Sequence, residues 1–328
     1  MHLDPFELHR PRTVEETTTL AGRFAGKFDY LAGGTDLLPN YKMHLNQKPH
    51  LIALQDVPEL TGHSLRRFGA MERLSDVEAD PEVARAYPAL REAVREIATP
   101  LVRASGTVGG NLLLETRCFF FNQSYFWRQS LGFCLKAEGD RCHVVPQKEK
   151  CYATFSGDLA PALMVLGAEA EIAGPAGRRR IPVGALYDGG GDGIRRTTIA
   201  PGELLVAVHL PEAADGLRST YRKLRVRPSF DFPELGVAAS ARFDGVRVTD
   251  VHLAVGGLET YPRAFDAEAR VLVGHPITEV TAHAVAEKVR AGVRPVHNTS
   301  LAPDYRKRMA GVYVRRALMG LAGPGGPP

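Results

Sequence analysis

The chain has 328 residues, 44% hydrophobic and 24% charged, the composition of an ordinary globular protein long enough for two or three domains. A formal net charge of +4, without long Lys/Arg runs interleaved with aromatics, excludes a dedicated nucleic-acid surface. The opening MHLDPFELHRP has no secretory pattern and no later apolar stretch is long enough to span a bilayer, so a cytoplasmic, reducing home away from the membrane is expected.

In chain order, Thr13 with Glu16 forms a capping box, predicting a helix of about ten residues that ends near Gly26. FDYLAGGTDLLPNYK then reads as a short strand, a glycine turn and a helix. Gly33 and Gly34 open conformations closed to other residues, Thr35 adds a hydroxyl, and the helix start adds a favourable dipole. The turn is a candidate anion nest, although AGGTD also suits an ordinary tight turn. PEVARAYPALREAVREIATP has the apolar spacing of a long helix with one buried face, terminated by Pro100. A second glycine turn follows at Ala104 to Asn111. Neither a G-x-G-x-x-G after a strand nor a P-loop is present, and two separate glycine turns suit a longer ligand with a pyrophosphate. Arg178-Arg179-Arg180 and Arg306-Lys307-Arg308 read as solvated turns or helix faces.

All four cysteines, Cys118, Cys134, Cys142 and Cys151, fall in one short stretch as C-x15-C-x7-C-x8-C. Random placement would give so tight a group in roughly one arrangement in a few hundred, so a shared task is expected. Disulfides are disfavoured in a reducing compartment and unneeded in a chain of this length. Structural zinc prefers close C-x2-C pairs, absent here, although His143 offers a further ligand. Iron–sulfur clusters accept thiolates from widely spaced positions on a wrapping loop. Spacing alone leaves both metals open.

AGGTDLL (residues 32 to 38), TVGGN (107 to 111), SGDLAPALMVLGAEAEI (156 to 172) and YRKLRVRPSFDFPELGVAAS (221 to 240) resemble, in order and spacing, the FAD-binding subunits of the xanthine dehydrogenase and carbon monoxide dehydrogenase superfamily. Some forty residues separate the GGN turn from the SGDLAPAL block, and they contain every cysteine. TRCFFFNQSYFWR, FCLKAEGDRCHV and KCYATFSGDLAPAL resemble the beta subunits of 4-hydroxybenzoyl-CoA reductases, whose flavin subunit is interrupted by a loop ligating a 4Fe-4S cluster.

The resemblance implies an α+β fold: a two-lobed FAD-binding domain of the molybdenum hydroxylase (vanillyl-alcohol-oxidase-like) type plus a C-terminal α+β domain. The lobes would be residues 1–56 and 57–213, with the 4Fe-4S insertion at about 115–154. The C-terminal domain would be 214–322, entered by a linker at Pro211 to Gly216, and GPGGPP (323–328) a disordered tail. It places FAD against Leu31, Ala32, Gly33, Gly34, Thr35, Asp36, Leu37 and Leu38 on one side and Thr107, Val108, Gly109, Gly110 and Asn111 on the other. Asp158 matches a position at the adenosine part, or else caps the helix LAPALMVLG. Ile97 and Leu205 match apolar positions near the flavin, and Lys223 a cation beside the isoalloxazine ring.

No nucleophile or general-base constellation is visible, so the chain is expected to carry electrons while substrate chemistry lies on a partner. The implied partners are a molybdenum-cofactor subunit and a small subunit with 2Fe-2S clusters, in a dimer of heterotrimers. Ferredoxin would donate to the 4Fe-4S loop, and 4-hydroxybenzoyl-CoA would lose its phenolic hydroxyl at molybdenum. Phe119, Phe120, Phe121, Tyr125, Phe126 and Trp127 would shield the cluster or form the insertion's own small core. Two other readings stand beside this one: the flavin subunit of an oxidative molybdenum hydroxylase with an accessory cluster, and a zinc-stabilised FAD-binding scaffold.

Overall fold

The computed structural model describes residues 3–212 and 216–323. Residues 324–328 of the expected tail, and residues 213–215 of the expected linker, lie outside the described residues.

Three sheets organise the chain. The first is parallel, in the order β1 (Glu7–His9), β3 (His50–Ala53), β2 (Phe28–Leu31). The helix Val14–Arg23 connects β1 to β2, and Thr13 caps it by accepting the Glu16 N–H. Glu16 does not close the predicted box: its carboxylate takes the N–H of Arg12 instead. The second sheet is antiparallel, with β5 (Arg67–Gly69) between β4 (His63–Ser64) and β8 (Leu204–His209), followed by β6 (Glu169–Gly174) and β7 (Gly177–Pro182). The third runs β12 (Arg263–Ala264), β11 (Arg247–Gly256), β10 (Leu235–Asp244), β9 (Arg218–Leu224), backed by the helices Glu279–Gly292 and Pro303–Leu321.

The second and third sheets are buried on both faces, alternate residues of β8 and β10 entering different cores. Val14, Leu54, Val57 and Leu60 of the first unit pack on Ala173, Leu204 and Val206 of the second sheet, joining the two lobes through apolar contact. Tyr221, Ala238 and Ala254 of the third sheet enter the core of the second, against the helix Leu159–Val165. The result is the α+β architecture expected.

Three local expectations are corrected. The long helix predicted over 81–100 is broken into Pro81–Ala86 and Pro88–Glu96, because Pro88 supplies no N–H and disfavours helical backbone at Tyr87. Pro100 opens a helix, Pro100–Arg103, instead of ending one, at the N-terminal position where its missing donor costs nothing. Arg306 is fully buried: its guanidinium donates to the carbonyls of Glu234 and Val296 and to Asn298 Oδ1, 3.4 Å from the Glu234 carboxylate.

Candidate functional site

The first glycine turn leaves β2 and enters the helix Leu37–Lys42. Among the described residues, the backbone N–H groups of Gly33, Gly34, Thr35, Asp36 and Leu37 have no protein acceptor. Five adjacent donors without partners form a ready anion cradle. A Cβ on Gly33 would stand 1.8 Å from Ser105 O, so this turn lies directly against the segment leading into TVGGN. Gly34 sits at φ 70, with the side chains of Leu31 and Leu38 flanking it.

TVGGN differs from expectation. It is a short helix, Val108–Leu112, whose donors are already spent: Val108 bonds Glu72 O, Gly109 bonds Ala70 O, Gly110 bonds the Thr107 hydroxyl, and Asn111 bonds Thr107 O. Its glycines serve close packing, since a Cβ on Gly109 would meet Ala70 O at 2.8 Å. Asn111 Oδ1 accepts from Leu159 N, so the Asn111 amide N–H2 and, on Thr107, the backbone N–H and the hydroxyl hydrogen are the donors of this segment without a protein acceptor among the described residues. The longer row of adjacent unpartnered backbone donors thus lies in the first turn, with the second packed against Ala70 and Glu72.

Asp158 does not cap its helix through the side chain. Its carboxylate, 3% exposed, accepts from Tyr221 Oη at 2.6 Å and from Lys223 Nζ at 3.1 Å, and Lys223, 1% exposed, also donates to Glu96 O. Burial pushes the Asp158 carboxyl up against the pull of Lys223 and Tyr221. Asp158 and Lys223, expected at different parts of FAD, form one ion pair in this structure. Ile97 follows Glu96 directly and precedes Ala98, which is held at φ 47, so Ile97, Asp158 and Lys223 belong to one wall. Leu205 lies on β8 in the same apolar core as Ile97. Asp158→Ala would leave a buried ammonium unpaired. A loss of about 3–5 kcal/mol in urea-unfolding stability is expected, with Asp158→Asn losing less because it keeps the Tyr221 bond.

The cysteine segment leaves and rejoins the chain through one antiparallel pair, Arg117 N to Thr154 O at 2.7 Å and Thr154 N to Arg117 O at 2.6 Å. All four cysteines are buried with free thiols and line one small pocket with Phe120, Phe121, Lys136 and His143. The N–H groups of Phe120 and Ala153 donate to Cys118 Sγ and Cys151 Sγ, both at 3.4 Å, a polarity suited to anionic sulfur. Burial pushes the Cys118 thiol up to about 11 and the Cys151 thiol up to about 12, so metal binding here must displace protons.

Among the described residues, ligand atoms of three or more His, Cys, Asp or Glu approach within 4.8 Å of one another only at Glu7, His9 and His50, where a His9–His50 contact at 3.2 Å and stacking on Phe24 account for it. No three of the four thiol sulfurs therefore lie within 4.8 Å of one another. His143 Nε2 donates to Phe133 O at 2.6 Å, which leaves Nδ1 as the ring's acceptor nitrogen. Of the six aromatics expected to shield a cluster, Phe121 is buried, whereas Tyr125, Trp127 and above all Phe126, 80% exposed, face outward.

Arg117, which sequence reasoning passed over, ties the two regions together. Its guanidinium pairs with Asp36 of the glycine turn and stacks 4.0 Å over the Phe232 ring, one residue before Cys118. Burial lowers it to about 10. The insertion also grips the segment after that turn: Arg128 donates to Met43 O at 2.7 Å and Asn46 donates to Lys136 O at 3.1 Å. A large cleft of about 760 Å³ beside Arg66, Met164, His209 and Asp266 includes none of these groups.

Residues 4–213 match the family described as the FAD binding domain in molybdopterin dehydrogenase, and residues 219–321 match the CO dehydrogenase flavoprotein C-terminal domain. The aldehyde oxidoreductase FAD-binding subunit PaoB of Escherichia coli K12 is 35% identical over 80% of this chain and 84% of its own. The carbon monoxide dehydrogenase medium chain of Hydrogenophaga pseudoflava is 29% identical over 95% of this chain and 96% of its own. A solved carbon monoxide dehydrogenase from that organism superposes with a TM-score of 0.80 at 27% identity, covering 97% of both chains. Unpartnered donors, apposed glycine segments and matches along nearly the whole sequence agree: the chain belongs to the FAD-binding flavoprotein subunits of the molybdopterin dehydrogenase family.

Proposed function

We propose that this chain is the FAD- and 4Fe-4S-containing electron-transfer subunit of a molybdenum enzyme, with Cys118, Cys134, Cys142 and Cys151 as the cluster ligands. The observation carrying the reading is that four buried thiols share one pocket on an excursion anchored, through Arg117 and Asp36, to the unpartnered glycine turn. When bound, a flavin beside a one-electron centre supplies exchange between electron pairs and single electrons.

In this reading the chain's residues bind and insulate. The N–H groups of Gly33 to Leu37 take the pyrophosphate, Gly109 and Gly110 let the wall close in, and the Asp158–Lys223 pair fixes the loop at Ile97. Phe121 and Ala153 keep water from the thiols. Chemistry on substrate falls to a molybdenum-cofactor subunit, reached through a 2Fe-2S subunit, in a dimer of heterotrimers. No helix among the described residues is long and apolar enough to cross a membrane.

The substrate reading is reductive removal of the phenolic hydroxyl of 4-hydroxybenzoyl-CoA with electrons from ferredoxin, and it rests on the resemblance of the cysteine segment alone. Oxidation of an aldehyde by the assembled complex is the second reading, favoured by 35% identity to an aldehyde oxidoreductase subunit. Iron, sulfide, zinc and FAD analysis of anaerobically purified complex tests the cofactors: about four irons and four sulfides per chain are expected beyond those of the partner subunit. Assay with 4-hydroxybenzoyl-CoA and a low-potential donor, against aldehydes with an acceptor dye, separates the two substrates. Zinc without sulfide overturns the cluster.

A further inference from the structure

Lys136 is out of place in its surroundings. It stands two residues after Cys134, its side chain is 4% exposed, and it lines the thiol pocket. A lysine ammonium is seldom buried unless several acceptors hold it. Here Nζ donates to Glu115 Oε1 at 2.6 Å, Thr116 O at 3.1 Å and Gly193 O at 3.3 Å, contacts the Thr116 hydroxyl, and lies 5.0 Å from the Phe121 ring centre.

Those acceptors come from two segments outside the thiol loop. Glu115 and Thr116 belong to the strand-like stretch between TVGGN and Cys118, and Gly193 bonds back to Cys151 O through its own N–H. Arg196 approaches the same Glu115 carboxylate at 3.5 Å. One carboxylate thus faces two cations, and the ammonium is the member that reaches the pocket.

Resting on the reading that the four cysteines hold an iron–sulfur cluster, we propose that Lys136 is the positioning residue that sets the cluster's reduction potential. Its fixed charge favours the reduced, more negative state, and its bonds to Glu115, Thr116 and Gly193 hold the Cys134 turn against the segment following the flavin wall. Glu115 tempers that charge from the far side. Reduction adds one electron to the cluster from an external donor, and no bond to Lys136 forms or breaks. Cluster potentials respond to nearby charge and to burial, and a cation kept from water acts more strongly than one at the surface.

The network predicts shifts of opposite sign, which a merely structural role would not produce. In anaerobic full-length complex, potentiometric titration followed by electron paramagnetic resonance reads the midpoint directly. Lys136→Met is expected to lower the equilibrium constant for cluster reduction about tenfold, ~59 mV for one electron. Lys136→Arg is expected to stay close to wild type, and Glu115→Gln, which keeps the ammonium and removes its counter-charge, to shift the midpoint upward. If Lys136→Met fails to hold iron, the Glu115→Gln measurement decides. An unchanged midpoint in folded, iron-loaded Lys136→Met or Glu115→Gln, or a downward shift in Glu115→Gln, overturns the proposal. Wild-type protein without iron and sulfide overturns the cluster reading itself, and that result is seen before any variant is compared.

Discussion

Gly33→Ala is expected to yield protein that folds but is purified nearly free of flavin. The added methyl would meet Ser105 O at 1.8 Å, Ser105 C at 2.7 Å and Gly106 Cα at 3.3 Å. All three are backbone atoms, so no side chain can swing aside. The glycine turn must move off the 105–106 segment, and the five unpartnered N–H groups move with it. FAD binding about a hundredfold weaker or more, roughly 3 kcal/mol, is expected from fluorescence titration of flavin-free protein. Gly34→Ala provides the contrast. At φ 70 its main cost is backbone conformation, since a Cβ there meets only the flexible side chains of Leu38 and Leu31. A penalty of about 1 kcal/mol, some fivefold in affinity, is expected. Wild-type affinity in Gly33→Ala would put the dinucleotide elsewhere.

The sequence carried the local signals of this site far better than its long-range pairings. AGGTD between a strand and a helix could be read as a donor cradle because strand period, glycine pair and helix start are all local. TVGGN was misread as a turn because Thr107 is an N-cap whose helix, Val108–Leu112, is too short to show a period. Two errors had visible remedies. Pro88 announced the break at Tyr87, and Arg306 shares the spacing of Ala310, Val314 and Ala317, all on the buried face of its helix. Asp36 with Arg117, Glu115 with Lys136 and Asp158 with Lys223 had no local signature. In each pair, burial selects one charged partner from many along the chain, and only tertiary packing makes that selection.

With Cys134 a ligand of the proposed cluster, Cys134→Ser is expected to remove the iron–sulfur group and leave the flavin. Serine is a poor substitute for a thiolate, and Cys134 begins the turn in which Ala137 N and Gly139 N bond its own carbonyl, so the new oxygen has little freedom to approach an iron. Iron and sulfide attributable to this chain should fall to near zero, with loss of the broad visible absorption beneath the flavin bands. FAD should remain near one per chain, because its donors lie at Gly33 to Leu37 in a different sheet's connection. His143→Ala is the matched control and should keep its iron, since the four cysteines alone complete the proposed ligand set. Retention of iron in Cys134→Ser would remove that residue from the ligand set. Flavin lost together with iron would show that the Asp36–Arg117 contact binds the two sites into one cooperative unit, so that the thiol loop is part of the flavin site's own support.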